Sequence, residues 1–222
     1  MGSGSSGNCY ILTDSSGKNL ILDAGVKFIE VKKALGFNIS NILGVLVTHG
    51  HLDHNGYSME YEVSGIPVIR SYESESLLDT VKLGQFKIKS FPCVHSCPCV
   101  GYLIEHEEMG RMIYATDTQY VRFRFRNLRT ILIEMNYSNE YIDRRAAKFA
   151  HVVQGHMEKQ TTLDFLKANA GPELRHVILC HLSSDGADPV EFRESVRKIV
   201  PSDVTVDIAV PGGEVDLREI PF

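Results

Sequence analysis

The chain has 222 residues, of which 43% are hydrophobic, and a formal net charge of −5 at pH 7. This length and composition suit one domain with a sizeable core. The net charge gives no bulk electrostatic reason to expect a nucleic-acid-binding protein, and no apolar run approaches the length of a membrane span. Five cysteines and no visible secretory leader predict reduced thiols and a cytoplasmic location.

The predicted elements alternate between strands and helices along the chain. In the first part we predict a helix at 26–35 and strands at 9–12, 19–23, 42–48, 68–71, 86–90, 100–105, 111–115 and 130–134. In the remainder we predict helices at 139–150, 158–168 and 189–199, and strands at 176–180 and 204–209. No repeat or linker-like change of composition interrupts this pattern, so we expect one domain over residues 1–222.

The most informative stretch is His-Gly-His-Leu-Asp-His at 49–54, which follows the predicted buried strand at 42–48. In an extended segment His49 and His51 project to the same side, so both rings can reach one cation. A turn after residue 52 would bring Asp53 and His54 to a second cation. Imidazole and carboxylate ligands suit zinc, manganese or iron. The alternative is a solvated polar loop, but four ligand-type side chains within six positions favour a metal site.

Two metals need more ligands, and three candidates follow other predicted strands. His95 comes after the strand at 86–90, Asp117 after the strand at 111–115, and His181 after the strand at 176–180. A single histidine at a strand end is usually structural. Three ligand-type residues in this order, downstream of the first stretch, predict the rest of a two-metal site.

These residues resemble the metallo-β-lactamase superfamily across essentially the whole chain. The resemblance implies an α/β fold, a four-layer αβ/βα sandwich, with a dinuclear metal site at the edge of the two sheets. It implies two sets of three ligands and one bridging residue, namely His49, His51 and His95; Asp53, His54 and His181; and Asp117. The β-lactamases of the superfamily commonly carry a cysteine where Asp117 stands, so this position argues against lactam hydrolysis.

Three further segments resemble single-domain bacterial and phage members of the YycJ/WalJ type, which are 5′-to-3′ DNA exonucleases. They are Glu-Met-Asn at 134–136, Gly-His-Met-Glu at 155–158 and Cys-His-Leu-Ser at 180–183. Two residues depart from that pattern. Ser96 stands where members usually carry an aspartate after the third metal histidine, and Glu158 stands where they carry a serine. Glu158 adds a negative charge where a phosphate would dock, so the substrate stays open.

The first residues have two interpretations. Ser-Gly-Ser-Ser-Gly-Asn at 3–8 looks like an expression linker, but a similar loop runs close to the metals in the proteins that this chain resembles. Small residues there let backbone N–H groups approach a phosphate. The similarity continues past any linker, which favours a working loop. We therefore predict four phosphate-binding residues in it: Ser5, Ser6, Gly7 and Asn8.

The resemblance implies a nucleophilic hydroxide that bridges two divalent cations, because bound metals lower the pKa of water. The expected cofactors are two zinc or manganese ions, with iron as a further option. Asp53 is expected to hydrogen-bond the hydroxide while binding metal. His156, at the predicted start of a helix, is the candidate proton donor or phosphate contact. A structural role for His156 is the alternative.

Two other stretches stay open. Val-Arg-Phe-Arg-Phe-Arg at 121–126 either follows a nucleic-acid strand with charge and stacking or is a half-buried strand with a solvated basic face. Cys93, Cys97 and Cys99 could hold a structural metal, but their spacing fits no standard zinc site. We therefore expect these three thiols to be buried or idle.

The sequence thus predicts a metal-dependent hydrolase that cleaves phosphodiester bonds, most simply a nuclease whose partner is nucleic acid, DNA rather than RNA. No membrane partner is expected, and the oligomeric state is open. One alternative is a small-molecule phosphodiesterase acting on cyclic nucleotides or cyclic phosphates. Another is a thioesterase of the glyoxalase II kind, although residues 190–222 leave little room for the helical domain of those enzymes. A catalytically silent metal-binding module would not need so complete a ligand set.

Overall fold

The computed structural model describes residues 1–74, 80–143, 145, 147 and 149–218. Two sheets form its centre. The smaller sheet has the strand order β1-β2-β3-β4, and its strands are β1 (Tyr10–Thr13), β2 (Asn19–Leu22), β3 (Ile42–Leu46) and β4 (Val68–Ile69). The β1–β2 hairpin is antiparallel, whereas β2, β3 and β4 run parallel to one another.

The larger sheet has the strand order β11-β10-β9-β8-β7-β6-β5. Its strands are β5 (Thr80–Leu83), β6 (Phe86–Pro92), β7 (Val100–His106), β8 (Gly110–Ala115), β9 (Leu128–Glu134), β10 (His176–Cys180) and β11 (Thr205–Ile208). Strands β5 to β8 form an antiparallel meander, and β8 to β11 are parallel. The carboxyl ends of β8, β9 and β10 therefore meet at one edge of this sheet.

Helices cover the outer face of each sheet. The described part of the chain contains α1 (Phe28–Ala34), α2 (Leu52–Asn55), α3 (Ser58–Val63), α4 (Phe149–Gly155), α5 (Lys159–Asn169) and α6 (Pro189–Arg197). The side chain of Glu158 accepts a hydrogen bond from Gln160 N and caps α5, and Asp188 caps α6 in the same way. None of these helices has the length and apolar character needed to cross a membrane.

Three apolar layers hold the architecture together. Between the two sheets, Leu20 and Leu22 of β2 pack in one cluster with Tyr102 and Tyr114 of the larger sheet. Ile21 points to the opposite face, because side chains alternate along a strand, and packs with helices α1 and α3. On the far side of the larger sheet, a third cluster joins strands β8 to β11 to helices α5 and α6. The result is the α/β four-layer αβ/βα sandwich expected from the sequence.

The structure corrects one predicted helix and adds elements. At 139–150 the helix begins only at Phe149, whereas Tyr141 N and Ile142 N both donate to Ser138 O in a turn. Residues 144, 146 and 148 of that prediction lie outside the described residues. Strand β5 and the short helices α2 and α3 were not predicted, because segments of four to six residues carry little periodicity.

Candidate metal centre

The predicted ligands gather where parallel strands end. His49 lies three residues after β3, Asp117 two residues after β8 and His181 directly after β10. The carboxylate Asp23, which was not predicted, directly follows β2. Because parallel strands present their carboxyl ends at one edge, these residues come together although they lie far apart in the sequence. His95, which follows the antiparallel strand β6, completes the group.

Three of these residues have unusual backbone conformations. Asp23, Asp117 and His181 have φ angles of 60°, 48° and 50°, in the left-handed region that costs a residue other than glycine about 1–3 kcal/mol. Each stands where a buried strand turns sharply at the edge of its sheet. The left-handed residue reverses the chain at once and directs its side chain towards the neighbouring strand ends.

A first cluster consists of three imidazoles. His49 Nε2 lies 3.1 Å from His51 Nδ1, and His95 Nε2 lies 3.2 Å from the same atom. Two nitrogens on one tetrahedral zinc ion, with bonds of 2.0–2.1 Å, would be about 3.3 Å apart. Burial lowers the pKa of His49 to about 2, so its ring is neutral, as a metal ligand must be. These three residues fit one cation.

A second cluster consists of Asp53, His54, Asp117 and His181, whose ligand atoms all lie within 4.8 Å of one another. His54 Nε2 is 3.4 Å from Asp53 Oδ2 and 3.3 Å from Asp117 Oδ1, and His181 Nδ1 is 2.6 Å from Asp117 Oδ1. Carboxylate and imidazole together suit zinc, manganese or iron. The residues predicted for the second metal are therefore also brought together.

Asp117 lies between the two clusters. Its Oδ1 faces the second cluster, whereas Oδ2 lies 3.7 Å from His49 Nε2 and 4.0 Å from His95 Nε2 in the first. Burial by itself would raise the pKa of this carboxyl, but His54 and His181 hold it well below its usual range. Asp117 therefore remains ionised, with one oxygen directed to each cluster, as a bridging ligand requires.

The sequence analysis missed Asp23, which orients His54. Asp23 is fully buried and its Oδ2 lies 2.7 Å from His54 Nδ1 and accepts a 2.5 Å hydrogen bond from Tyr114 OH. Its Oδ1 accepts from Thr48 N at 2.8 Å. With Nδ1 engaged, His54 presents Nε2 to the metal cluster. A carboxylate at the end of an apolar strand is the same signal that identified Asp117, so this residue could have been found.

A backbone carbonyl orients His95. Gly155 O lies 2.8 Å from His95 Nδ1, which leaves Nε2 directed at the first cluster. A Cβ at position 155 would lie only 3.0 Å from His95 Cε1, so a larger residue there would press on this ring and would have to displace it by a few tenths of an ångström. Packing against His95 thus explains the glycine at position 155.

His156 pairs with a buried carboxylate. It was predicted to open a helix, but it follows the last residue of α4 and precedes the cap of α5. His156 Nδ1 lies 2.6 Å from Glu134 Oε1, and Glu134 Oε2 accepts from Thr118 N and Met157 N. Burial would lower the pKa of His156, but Glu134 outweighs it and raises the pKa to about 9. The ring is therefore an imidazolium at neutral pH, 4.0 Å from Asp117 Oδ2.

The loop at 3–8 is built into the site. Ser3 Oγ accepts a hydrogen bond from His181 N at 3.0 Å, and Asn8 N donates to Asp53 O at 2.7 Å. Asn8 is fully buried, with Nδ2 2.9 Å from His54 Nε2. Gly7 N donates to Gly4 O within the loop. Gly7 and Asn8 are therefore placed to hold the loop against the ligands, which does not favour the predicted phosphate contact for these two residues.

A cavity of about 310 Å³ opens over the clusters. Its walls include Ser5 of the loop, the ligands Asp53 and Asp117, and His156. Ser5 is thus the loop residue that faces the space above the metal ligands, and Ser6 is exposed beside it. The volume is at the lower end for small-molecule sites and suits a single nucleotide or the end of a chain.

The basic stretch at 121–126 contains no strand residue, so the strand of the second alternative was wrong. Val121 and Phe125 are nevertheless half-buried and pack against the core. Arg122, Arg124 and Arg126 are exposed. The stretch begins beside the site, because Gln119 N donates to Val94 O at 2.9 Å, next to His95. It therefore forms a basic surface segment that leads away from the clusters.

Comparison with known proteins agrees with this geometry. The family model of the metallo-beta-lactamase superfamily matches residues 2–76, so the match includes the whole loop at 3–8. The chain is 25% identical over 235 residues to exodeoxyribonuclease YycJ of Bacillus anthracis, and the match covers 90% of this chain and 87% of that protein.

Solved structures show the same fold. The metallo-beta-lactamase fold protein YhfI from Bacillus subtilis matches with a TM-score of 0.68 at 16% identity, covering 93% of each chain. The short form of human tRNase Z matches with a TM-score of 0.58 at 15% identity, covering 82% of this chain and 91% of that one. A diphosphatase of the PhnP family has a TM-score of 0.58 at 16% identity, covering 90% and 80%.

The sandwich, the two clusters of histidine and aspartate at its edge and these matches lead to one conclusion. The chain has the fold of the metallo-β-lactamase superfamily, resembles that superfamily in sequence, and is a metal-dependent hydrolase.

Proposed function

We propose that this hydrolase is a two-metal nuclease that cleaves phosphodiester bonds. We further propose that its substrate is DNA rather than RNA and that it acts as a 5′-to-3′ exonuclease. The observation that carries the proposal is Asp117, whose two oxygens face two separate clusters of ligand atoms. Two cations held this way match the two-metal arrangement of phosphodiester-cleaving enzymes. The similarity to an exodeoxyribonuclease over 90% of the chain supports the choice of DNA.

Seven candidate ligands would hold the two cations. His49, His51 and His95 would hold one, Asp53, His54 and His181 would hold the other, and Asp117 would join them. When bound, zinc, manganese or iron ions supply Lewis acidity and a water molecule of lowered pKa. Asp53 lines the cavity, and burial would raise its pKa but the hydrogen bond with His54 lowers it. Asp53 therefore stays ionised and can orient the attacking water.

The leaving group of an unactivated phosphodiester is an alkoxide, which needs a proton. His156 lines the cavity and carries a proton at neutral pH, because Glu134 stabilises the imidazolium. We assign to it the transfer of that proton to the departing oxygen. Glu134 is fully buried and held by two backbone N–H groups, so its part is to fix the ring and its charge.

A nucleic acid needs a path away from the site, and the segment at 120–126 provides one. Tyr120 is 39% exposed, and Arg122 Nη2 lies 3.2 Å from its hydroxyl, with the guanidinium over the ring. Arg122 is five residues after Asp117 and thus within about 18 Å of it along the chain. At the duplex rise of 3.4 Å per base pair, that reach corresponds to at most about five base pairs, and to fewer nucleotides of an extended single strand. Charge and an aromatic ring suit single-stranded nucleic acid.

A small-molecule phosphodiesterase is the second candidate. The cavity of about 310 Å³ would enclose a cyclic nucleotide as well as the end of a DNA chain. The exposed arginines distinguish the candidates, because a substrate confined to the cavity would have no use for them.

We place this activity in the cytoplasm. All five cysteines are free thiols, a state that a reducing compartment maintains.

A panel of substrates tests the proposal. Zinc-loaded or manganese-loaded protein would be given linear duplex DNA labelled at the 5′ or the 3′ end, the matching RNA, a 2′,3′-cyclic nucleotide and a glutathione thioester. We expect mononucleotides to be released first from the 5′ end of DNA. Asp117→Asn is the variant expected to be inactive. Asp164→Asn, on the exposed face of α5, is the matched control expected to keep its activity. Hydrolysis of the cyclic nucleotide alone would favour the second candidate, and hydrolysis of the thioester alone would overturn both.

A further inference from the structure

Cys97 lies among the three histidines of the first cluster. The Sγ of Cys97 and the ligand nitrogens of His49, His51 and His95 are all within 4.8 Å of one another. A thiolate and an imidazole on one tetrahedral zinc ion, with bonds of about 2.3 and 2.0–2.1 Å, would be about 3.6 Å apart. To reach that distance, the sulfur of the half-buried Cys97 would have to move by up to about 1 Å. The cluster therefore offers four donors, one of which no metal-binding assignment above uses.

The backbone explains why this sulfur comes so close. Cys93 N donates to Cys99 O at 3.0 Å and closes a loop over residues 94–98. Cys99 in turn pairs with His49 in an isolated antiparallel bridge. The loop is thus fixed to the end of the segment that carries the first two histidines. Cys97 and His95 both belong to this loop and are held over the same point.

The other cysteines differ in their surroundings. Cys9, Cys99 and Cys180 are buried, and Cys93 packs against the apolar cluster beneath the larger sheet. Among the described groups that could hold a metal, Cys97 is the one cysteine included. The idle role expected for the three neighbouring thiols therefore suits Cys93 and Cys99 but not Cys97.

We propose that the Cys97 thiolate is a further protein ligand of the cation bound by His49, His51 and His95, in addition to the bridging carboxylate of Asp117. On binding, the thiol proton passes to solvent and the sulfur becomes an anionic donor. A thiolate is a soft ligand that selects zinc over manganese, and with this added donor the site holds its ion more firmly than the histidines and Asp117 would without it. The first position is then a tightly held zinc site, whereas the cluster of Asp53, His54 and His181 keeps the exchangeable ion.

This inference rests on the two-metal site proposed above but on no substrate. Cys97→Ser tests it, with Cys93→Ser as the matched control, since the two cysteines stand two residues on either side of His95. Both variants and the unchanged protein would be loaded with cobalt(II). We expect a sulfur-to-cobalt charge-transfer band in the near ultraviolet for the unchanged protein and for Cys93→Ser, and its loss in Cys97→Ser. A band that is absent throughout, or equal in Cys97→Ser, overturns the inference.

Zinc competition with a chelator adds a second readout. Loss of a residue that supports a metal ligand typically costs 10–100-fold in affinity, so loss of a ligand itself is expected to cost about 100-fold or more in Cys97→Ser. Cys93→Ser should bind zinc like the unchanged protein. Equal zinc affinity in both variants would contradict the proposal.

A third measurement needs no variant and remains decisive if Cys97→Ser fails to fold. The metal-free and zinc-loaded forms of the unchanged protein would be treated with iodoacetamide, and the labelled peptides identified by mass spectrometry. Zinc should protect Cys97 and leave the labelling of Cys93 unchanged. Equal labelling of Cys97 in both forms would overturn the inference. Because none of these readouts involves DNA, a failure here is distinct from a failure of the proposed nuclease activity.

Discussion

Asp23→Asn tests whether the buried carboxylate of Asp23 orients the candidate metal ligand His54. The amide keeps the size of the side chain and an oxygen for the hydrogen bond from Thr48 N. It places an NH₂ group where Oδ2 now faces His54 Nδ1 at 2.7 Å and the Tyr114 hydroxyl at 2.5 Å. Two hydrogen bonds to a charged group are lost, each worth about 1.5–3 kcal/mol. We expect the free energy of unfolding to fall by about 3–6 kcal/mol.

The effect on metal binding follows from the same contacts. Without its partner, the His54 ring loses its fixed orientation, and Nε2 is no longer held towards Asp53 and Asp117. Loss of such a supporting group typically lowers metal affinity 10–100-fold. The assay is zinc competition with a chelator, read beside thermal unfolding of the metal-free protein.

Asp14→Asn supplies the matched control. Asp14 is also a buried carboxylate of the smaller sheet, but its contacts are Ser16, Lys18 and His106 at the β1–β2 turn. This variant should lose stability and keep the zinc affinity of the unchanged protein. If Asp23→Asn binds zinc as tightly as Asp14→Asn does, the positioning role of Asp23 is refuted.

Three further predictions concern the proposed activity. Asp117→Ala should lose one metal or both and nearly all hydrolysis, because it removes the carboxylate that faces both clusters; full metal occupancy by elemental analysis would contradict a bridging role. His156→Ala should keep its metals while hydrolysis of DNA slows by about 10²–10⁴-fold. The same variant should retain most activity on bis-p-nitrophenyl phosphate, whose leaving group needs no proton, and equal losses on both substrates would count against the acid role. Changing Arg122 and Arg124 together to alanine should raise KM for long DNA and leave hydrolysis of bis-p-nitrophenyl phosphate unchanged; an unchanged KM would remove the proposed path.

Local patterns in the sequence were sufficient to identify the residues that gather in the two clusters and most of the strands. His49, His51, Asp53 and His54 lie within six consecutive positions, so their common position follows from strand and turn geometry alone. Asp117 and His181 each end an apolar run, and such runs become buried strands that are hard to mistake. The helix predicted at 139–150 was wrong in its start, because a turn around Ser138 replaces its first residues.

What the sequence by itself determined is therefore the chemistry of the donors, their order and the strands that carry them, because each depends on residues close together in the chain. The tertiary structure alone decided which distant residues contact one another. Tyr114 and Asp23 are 91 residues apart, and His95 and Gly155 are 60 apart, so no local pattern records these contacts. The position of Cys97 was decided in the same way, since it follows from the bridge between His49 and Cys99, the residue directly after the loop at 94–98. Periodicity reports which face of an element is buried, whereas the neighbour across that face is fixed only when the two sheets pack.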